Sequence, residues 1–117
     1  ALQNFDRLNL TNIRLLEGNF DTLLPRLLDA IEMPEFVFID GNHRYEPTCR
    51  YFELLAEKAT PATILVFDDI HWSREMEAAW KRIKAHPSVT LTIDLFLIGI
   101  VFFREEFKEH QDFMIRF

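Results

Sequence analysis

Phe36-Val37-Phe38-Ile39-Asp40-Gly41-Asn42-His43 decides how this chain folds. Four consecutive apolar residues end abruptly in a polar cluster. That is the pattern of a strand buried on both faces that presents polar groups at its carboxyl end. The pattern recurs at Thr63-Ile64-Leu65-Val66-Phe67, which ends in Asp68-Asp69. Between the two runs, Tyr51, Phe52, Leu55, Ala56 and Ala59 fall on one helical face; Pro47 stands where a first helical residue belongs, and Thr60-Pro61 breaks the helix. Strand, helix, strand at this spacing predicts parallel strands joined by right-handed crossovers, hence an α/β sheet with ligands at the carboxyl ends of its strands.

Working outward, Leu23, Leu24, Leu27, Leu28 and Ile31 predict a helix starting near Asp21, with Asp21 or Thr22 as cap, Pro25 in its first turn and Pro34 as its stop. Ile13 to Glu17 reads as a short strand closed by the turn Gly18-Asn19, and Leu2, Phe5 and Leu8 suit a short amphipathic helix over residues 1–12. Beyond the second strand, Ser73 caps a helix whose apolar face is Met76, Ala79, Trp80 and Ile83, and Pro87 ends it. Val89 to Leu95 alternates as a half-exposed strand, and Ile100 to Phe103 follows Gly99 as a strand buried on both faces, which closes a hairpin. Arg104 to Gln111 is a charged surface segment, and Phe113 to Phe117 either pairs onto a sheet edge or frays.

Composition narrows the function. A net charge of −6 offers no basic stripe to displace the counterions of a nucleic acid, so small molecules or proteins are the expected partners. A single cysteine, Cys49, excludes an internal disulfide and a cysteine-based zinc site and fits a reducing cytoplasm. The longest apolar run, Leu95 to Phe103, is about half of the ~20 residues a membrane helix needs.

The motifs Phe36 to Glu46, Ile64 to Asp69, and Ile93-Asp94-Leu95 with Gly99-Ile100-Val101 together resemble the C-terminal portion of class I S-adenosylmethionine-dependent methyltransferases, in particular the small O-methyltransferase-like group. The resemblance covers nearly the whole chain. It implies a partial Rossmann-like three-layer sandwich, with a mainly parallel sheet and a C-terminal antiparallel hairpin. The family cradles its cofactor on a glycine-rich turn after the first strand and holds the ribose with a carboxylate ending the second; the three glycines here are not so arranged. Residues 1–117 are therefore expected to form a single partial domain, the later part of a longer enzyme and inactive on its own. The missing strands would lie between the strand at Ile13 to Leu16 and that at Phe36 to Ile39, and the exposed edges could pair chains into homo-oligomers.

Methyl transfer requires alignment of nucleophile, methyl carbon and sulfur, and removal of a proton from a hydroxyl nucleophile. Asp40 is a candidate to contact the cofactor, to take part in catalysis or to ligate a metal; its plainer role is to cap the next turn. Asp40, Asp68 and Asp69 offer oxygen ligands to Mg²⁺ or another hard divalent ion, as in the metal-dependent members the chain resembles, although those members usually carry Asn where Asp69 stands. His43 is the best general-base candidate, because imidazole ordinarily titrates near neutral pH, and the alternative is a solvated loop histidine. His71 is a weaker candidate. Glu17-Gly18-Asn19 resembles the turn with which the family contacts adenine, and is otherwise a plain turn. Trp80 is expected in the core, Trp72 as a lid or pocket residue, Tyr45 packed at the start of its helix, and Cys49 inert.

The resulting expectation is transfer of a methyl group from S-adenosylmethionine to a small-molecule oxygen or nitrogen, in the cytoplasm, without nucleic acid or membrane. A noncatalytic α/β binding or oligomerisation module is one alternative. The other is a metal-dependent hydrolase or hydroxylase built on Asp40, Asp68 and His43.

Overall fold

The computed structural model describes residues 11–116. The helix expected at the amino end falls mostly on residues 1–10, outside the described residues. The elements follow as α1 (Phe20–Ala30), β1 (Phe36–Ile39), α2 (Tyr45–Lys58), β2 (Ile64–Asp68), α3 (Arg74–Lys84), β3 (Leu91–Asp94), β4 (Ile98–Phe102) and β5 (Gln111–Met114). They form one sheet in the order β1-β2-β4-β3-β5. β1 and β2 run parallel, as the strand-helix-strand spacing predicts. β4 pairs antiparallel with both β2 and β3, which includes the expected hairpin, and β5 joins β3 in parallel. This mixed α/β sheet is a partial Rossmann-like fold.

Local chemistry sets the helix ends. Asn19, rather than Asp21 or Thr22, caps α1: its side-chain oxygen accepts from the Asp21 N–H at 2.8 Å. Pro25 consequently falls in the second turn of α1, and the helix ends at Ala30, before Pro34 can act. α2 begins two residues ahead of Pro47, which its first turn tolerates. Ser73 caps α3 as expected, accepting from the Met76 N–H at 3.2 Å. Glu75 and Glu77 in the first turn of α3 and Lys81, Arg82 and Lys84 in its last complement the helix dipole.

Strand alternation places Val37, Ile39, Leu65, Phe67 and Val101 on one face of the sheet, where they pack with Leu28, Phe52, Leu55, Trp80 and Ile83 from the three helices. All three described helices thus cover the same face. The other face carries Phe36, Phe38, Leu91, Ile93, Ile98, Ile100, Phe102 and Phe113, and no described helix covers it. Two layers of the expected three-layer sandwich are therefore present among the described residues.

Several strand expectations are corrected by this arrangement. Phe36 and Phe38 are 60% and 51% exposed, so β1 is buried on one face only, and Ile100 and Phe102 are likewise only partly covered. Residues Ile13 to Glu17 form no strand and are exposed, since a short strand persists only where a neighbour takes up its hydrogen bonds. In β3 the alternation is the reverse of a polar-outward pattern. Thr92 and Asp94 point into the helix-covered side and are buried, while Leu91 and Ile93 are partly open. Thr92 is satisfied there by donating to Asp112 of β5 at 2.8 Å, and Lys84 donates to the same carboxylate at 3.0 Å. Burial would raise the Asp112 pKa, but these two hydrogen bonds together with the charges of Lys84 and His110 outweigh it and hold the carboxyl below its ordinary range.

Gly99 is a packing residue. A Cβ built there would lie 2.5 Å from the Trp80 ring, so α3 can approach β4 this closely only over a glycine. Gly99→Ala is expected to destabilise the fold by about 1–3 kcal/mol, read as a lower urea midpoint. An unchanged midpoint would show that the Trp80 contact does not limit the approach of α3 to the sheet.

Candidate active site

The parallel register of β1 and β2 builds the site. Phe36 pairs with Ile64 and Ile39 with Phe67; one further step sets Asp40 beside Asp68, on the same face and at the carboxyl ends of both strands. The chain then turns sharply in both loops, through Asn42 (φ 50°) and Asp69 (φ 55°), two residue types that tolerate the left-handed region. Asn42 Nδ2 donates to the Tyr51 hydroxyl at 3.3 Å, which ties the first loop to α2. The second loop is tied to the hairpin, since the Asp69 N–H donates to the Leu97 carbonyl at 2.8 Å.

These turns bring His43 between the two loops. Its Nε2 lies 3.5 Å from Asp40 Oδ1 and 3.5 Å from Asp69 Oδ2. The atom is shielded from solvent, yet neither contact has hydrogen-bond alignment, so Nε2 is an orphaned polar atom. One donor atom each from Asp40, His43 and Asp68 lies within 4.8 Å of the others. The structure therefore gathers Asp40, His43, Asp68 and Asp69 on a single rim, as the strand-end clusters predict.

Carboxylates this close are mutually unfavourable. Burial raises the Asp68 pKa most, its hydrogen bond with Asp40 adds to this, and the charges of Asp69 and Asp40 raise it further; the Asp69 backbone N–H acts in the opposite direction. A carboxyl raised in the folded state contributes stability below its unfolded pKa and loses that contribution as pH rises through the folded value. Burial of Asp68, together with the like charges beside it, therefore weakens the fold near neutrality.

Gly18 (φ 149°) and Asn19 form the turn that starts α1. The next residue, Phe20, lies edge-on to Tyr51 with ring centroids 5.8 Å apart and sits over Gly41, where a Cβ would come within 3.0 Å of it. The Gly18-Asn19 turn is thereby placed beside the loop that carries Asp40. An apolar cavity of about 230 Å³ opens between α1, α2 and β1, walled by Phe20, Leu24, Val37, Phe38, Tyr51 and Leu55 with Asp40 at its edge.

The other aromatic and polar candidates divide. Trp80 is buried in the core as expected, whereas Trp72 is exposed and lines none of the described cavities. Tyr45 packs at the start of α2, its hydroxyl accepting from Arg82 at 3.4 Å. Cys49 is buried and unpaired, with burial pushing its thiol pKa up, which fits an inert residue. His71 is better placed than its loop position suggests: Nε2 lies 2.7 Å from Asp94, a buried carboxylate. Sequence reasoning missed Asp94 by assigning β3 the wrong inward face. The available signal was that three strands in this chain end in aspartate: β1 before Asp40, β2 at Asp68 and β3 at Asp94.

No helix among the described residues is long and apolar enough to cross a membrane. The sequence model of a family described as a methyltransferase domain matches residues 2–70, a span that ends just past Asp68 and Asp69. No curated protein and no solved structure matches the chain.

Asp68→Asn removes one of the crowded charges. It is expected to raise the urea midpoint near pH 7 and to leave it unchanged near pH 3, where the carboxyl is protonated in both states. A midpoint equal to the parent's at both pH values would show that the Asp68 charge is not costly in the folded state.

Proposed function

The chain belongs to a methyltransferase domain family, whose match spans more than half of it, and on that premise we propose that it moves a methyl group from S-adenosylmethionine to an oxygen or nitrogen of a small-molecule acceptor. The observation that carries this reading is the convergence of Asp40, His43, Asp68 and Asp69 beside an apolar cavity at the carboxyl end of a parallel strand pair. S-adenosylmethionine supplies a methyl group already activated on a sulfonium. The residues fit such a group: crowded carboxylates are relieved by a positive charge, and the apolar cavity beside Asp40 suits a flat aromatic base.

His43 is assigned the proton. With cofactor and acceptor bound, Nε2 would take the proton that the acceptor loses on methylation, the carbon–sulfur bonding pair would be left on sulfur, and the charge gained by the ring would lie between Asp40 and Asp69. The carboxylates flank the ring and counter its charge without bonding to the acceptor. No glycine-rich cofactor turn occurs within residues 1–117, so turnover is proposed for the protein in its natural length.

In that protein, calorimetric titration should show binding of S-adenosylmethionine. His43→Ala should lower turnover about 10²–10⁴-fold while leaving cofactor affinity unchanged. A variant that keeps the parental rate removes His43 from proton transfer, and absence of cofactor binding removes the methyl-transfer reading altogether.

A second reading is favoured by the spacing of Asp40, His43 and Asp68, which suits a divalent cation. Two carboxylates and an imidazole are a donor set closer to Mn²⁺ or Fe²⁺ than to the all-oxygen shell that Mg²⁺ prefers. His43 would then be a ligand, and the cation would serve to orient and polarise the acceptor oxygen. Titration with Mn²⁺ and separately with Mg²⁺ tests it: Mn²⁺ should bind more tightly, and Asp40→Asn should weaken it. Failure of both ions to bind ends this reading.

A further inference from the structure

The Asp68-Asp69 loop is held from outside by a second polar cluster, and that cluster has no part in the chemistry just described. Asp94 ends β3 on the helix-covered side of the sheet and is 2% exposed. A carboxylate so placed is costly unless its oxygens are hydrogen-bonded, and each has a partner. Oδ2 lies 2.7 Å from His71 Nε2, and Oδ1 accepts the Phe96 N–H at 2.8 Å. Phe96 takes φ 72°, a conformation that a bulky aromatic residue adopts only under constraint. Its ring stacks on that of His71, with centroids 5.5 Å apart and planes 23° from parallel.

The next residue carries the connection to the site. The Leu97 carbonyl accepts the Asp69 N–H at 2.8 Å, and Asp69 is the left-handed turn residue whose carboxylate faces His43. A continuous path of contacts therefore runs from His71 through Asp94, Phe96 and Leu97 to Asp69. His71 itself sits only two residues after Asp69, so the path closes into a ring joining the loop after β2 to the turn of the β3-β4 hairpin.

We propose that His71 and Asp94 are positioning residues: by locking the hairpin turn, they fix the backbone of Asp69 and so the place of its carboxylate opposite His43. The proposal rests on the candidate-site reading for its functional consequence, whereas its structural half is independent of any activity. The bond from His71 to Asp94 is the closing link. Losing it leaves a buried carboxylate short of a donor, and the turn is released from the side facing Asp69.

Amide hydrogen exchange on the chain tests the lock directly. His71→Ala should speed exchange at Asp69 and Phe96 about tenfold or more while the Leu65 and Val101 amides keep their rates. His71→Gln, whose side-chain amide can still donate to Asp94, should restore slow exchange at both positions. No change at Asp69, or an equal rise across the core, overturns the proposal, because His71 would then act nowhere or on global stability alone. Mn²⁺ titration supplies a readout that a purely structural role would not move. Where the parent binds Mn²⁺, His71→Ala should weaken it severalfold and His71→Gln should not; equal affinity in all three overturns the link to the site. If the parent does not bind Mn²⁺, the cation reading fails and the exchange pattern alone decides the lock.

Discussion

The parallel register of β1 on β2 is the constraint on which the site depends. Leu65 and Phe67 must face the helices, and Val37 and Ile39 pair beside them on the same side. A one-residue slip of either strand would turn its apolar set outward and carry Asp40 away from Asp68. Burying a Leu or Phe side chain is worth about 1.5–3 kcal/mol, whereas two carboxylates near a protein surface repel by only about 1–4 kcal/mol at 4 Å. Several core side chains thus outweigh one repulsive pair. The carboxylates stay together because the core on the other side of the sheet permits no alternative.

The same balance explains where strain collects. Asn42, Asp69 and Phe96 are the non-glycine residues with positive φ among those described, and each lies in a turn following the carboxyl end of a strand. Asn42 and Asp69 need little support in that conformation, but Phe96 needs the Asp94 side chain on its N–H and the His71 ring against its face. Strained turns that the surrounding structure overdetermines are typical of places where side-chain position matters.

Much of this was legible in the sequence. Apolar runs ending in Asp40 and Asp68, separated by one amphipathic helix, specify the parallel pair and bring the polar ends together; Ser73 and Pro87 mark the bounds of α3 closely. What misled was the assumption about coverage. A run such as Phe36 to Ile39 reads as buried on both faces, yet burial depends on a layer that lies outside the strand itself, and the described helices cover only one side. For β3 the error was one of phase. Leu91 and Ile93 alternate with Thr92 and Asp94, and hydrophobicity alone assigns the apolar pair inward; the polar pair goes inward because Asp112 and His71 wait there to satisfy it. Partners separated by some twenty residues leave no local trace.

Alternation also explains why three aspartates at equivalent strand ends have different work. Asp40 and Asp68 lie in phase with Phe38 and Val66, on the side of the sheet that no described helix covers, and Asp40 is exposed there. Asp94 pairs across from Gly99, in phase with Val101 and Phe67, on the covered side. Its charge is tolerable only because a histidine and a backbone N–H occupy its oxygens, and those same bonds prevent it from serving a ligand. One residue type, displaced by a single step of strand phase, changes from a group on the uncovered rim into one whose oxygens are held by a histidine and a backbone N–H.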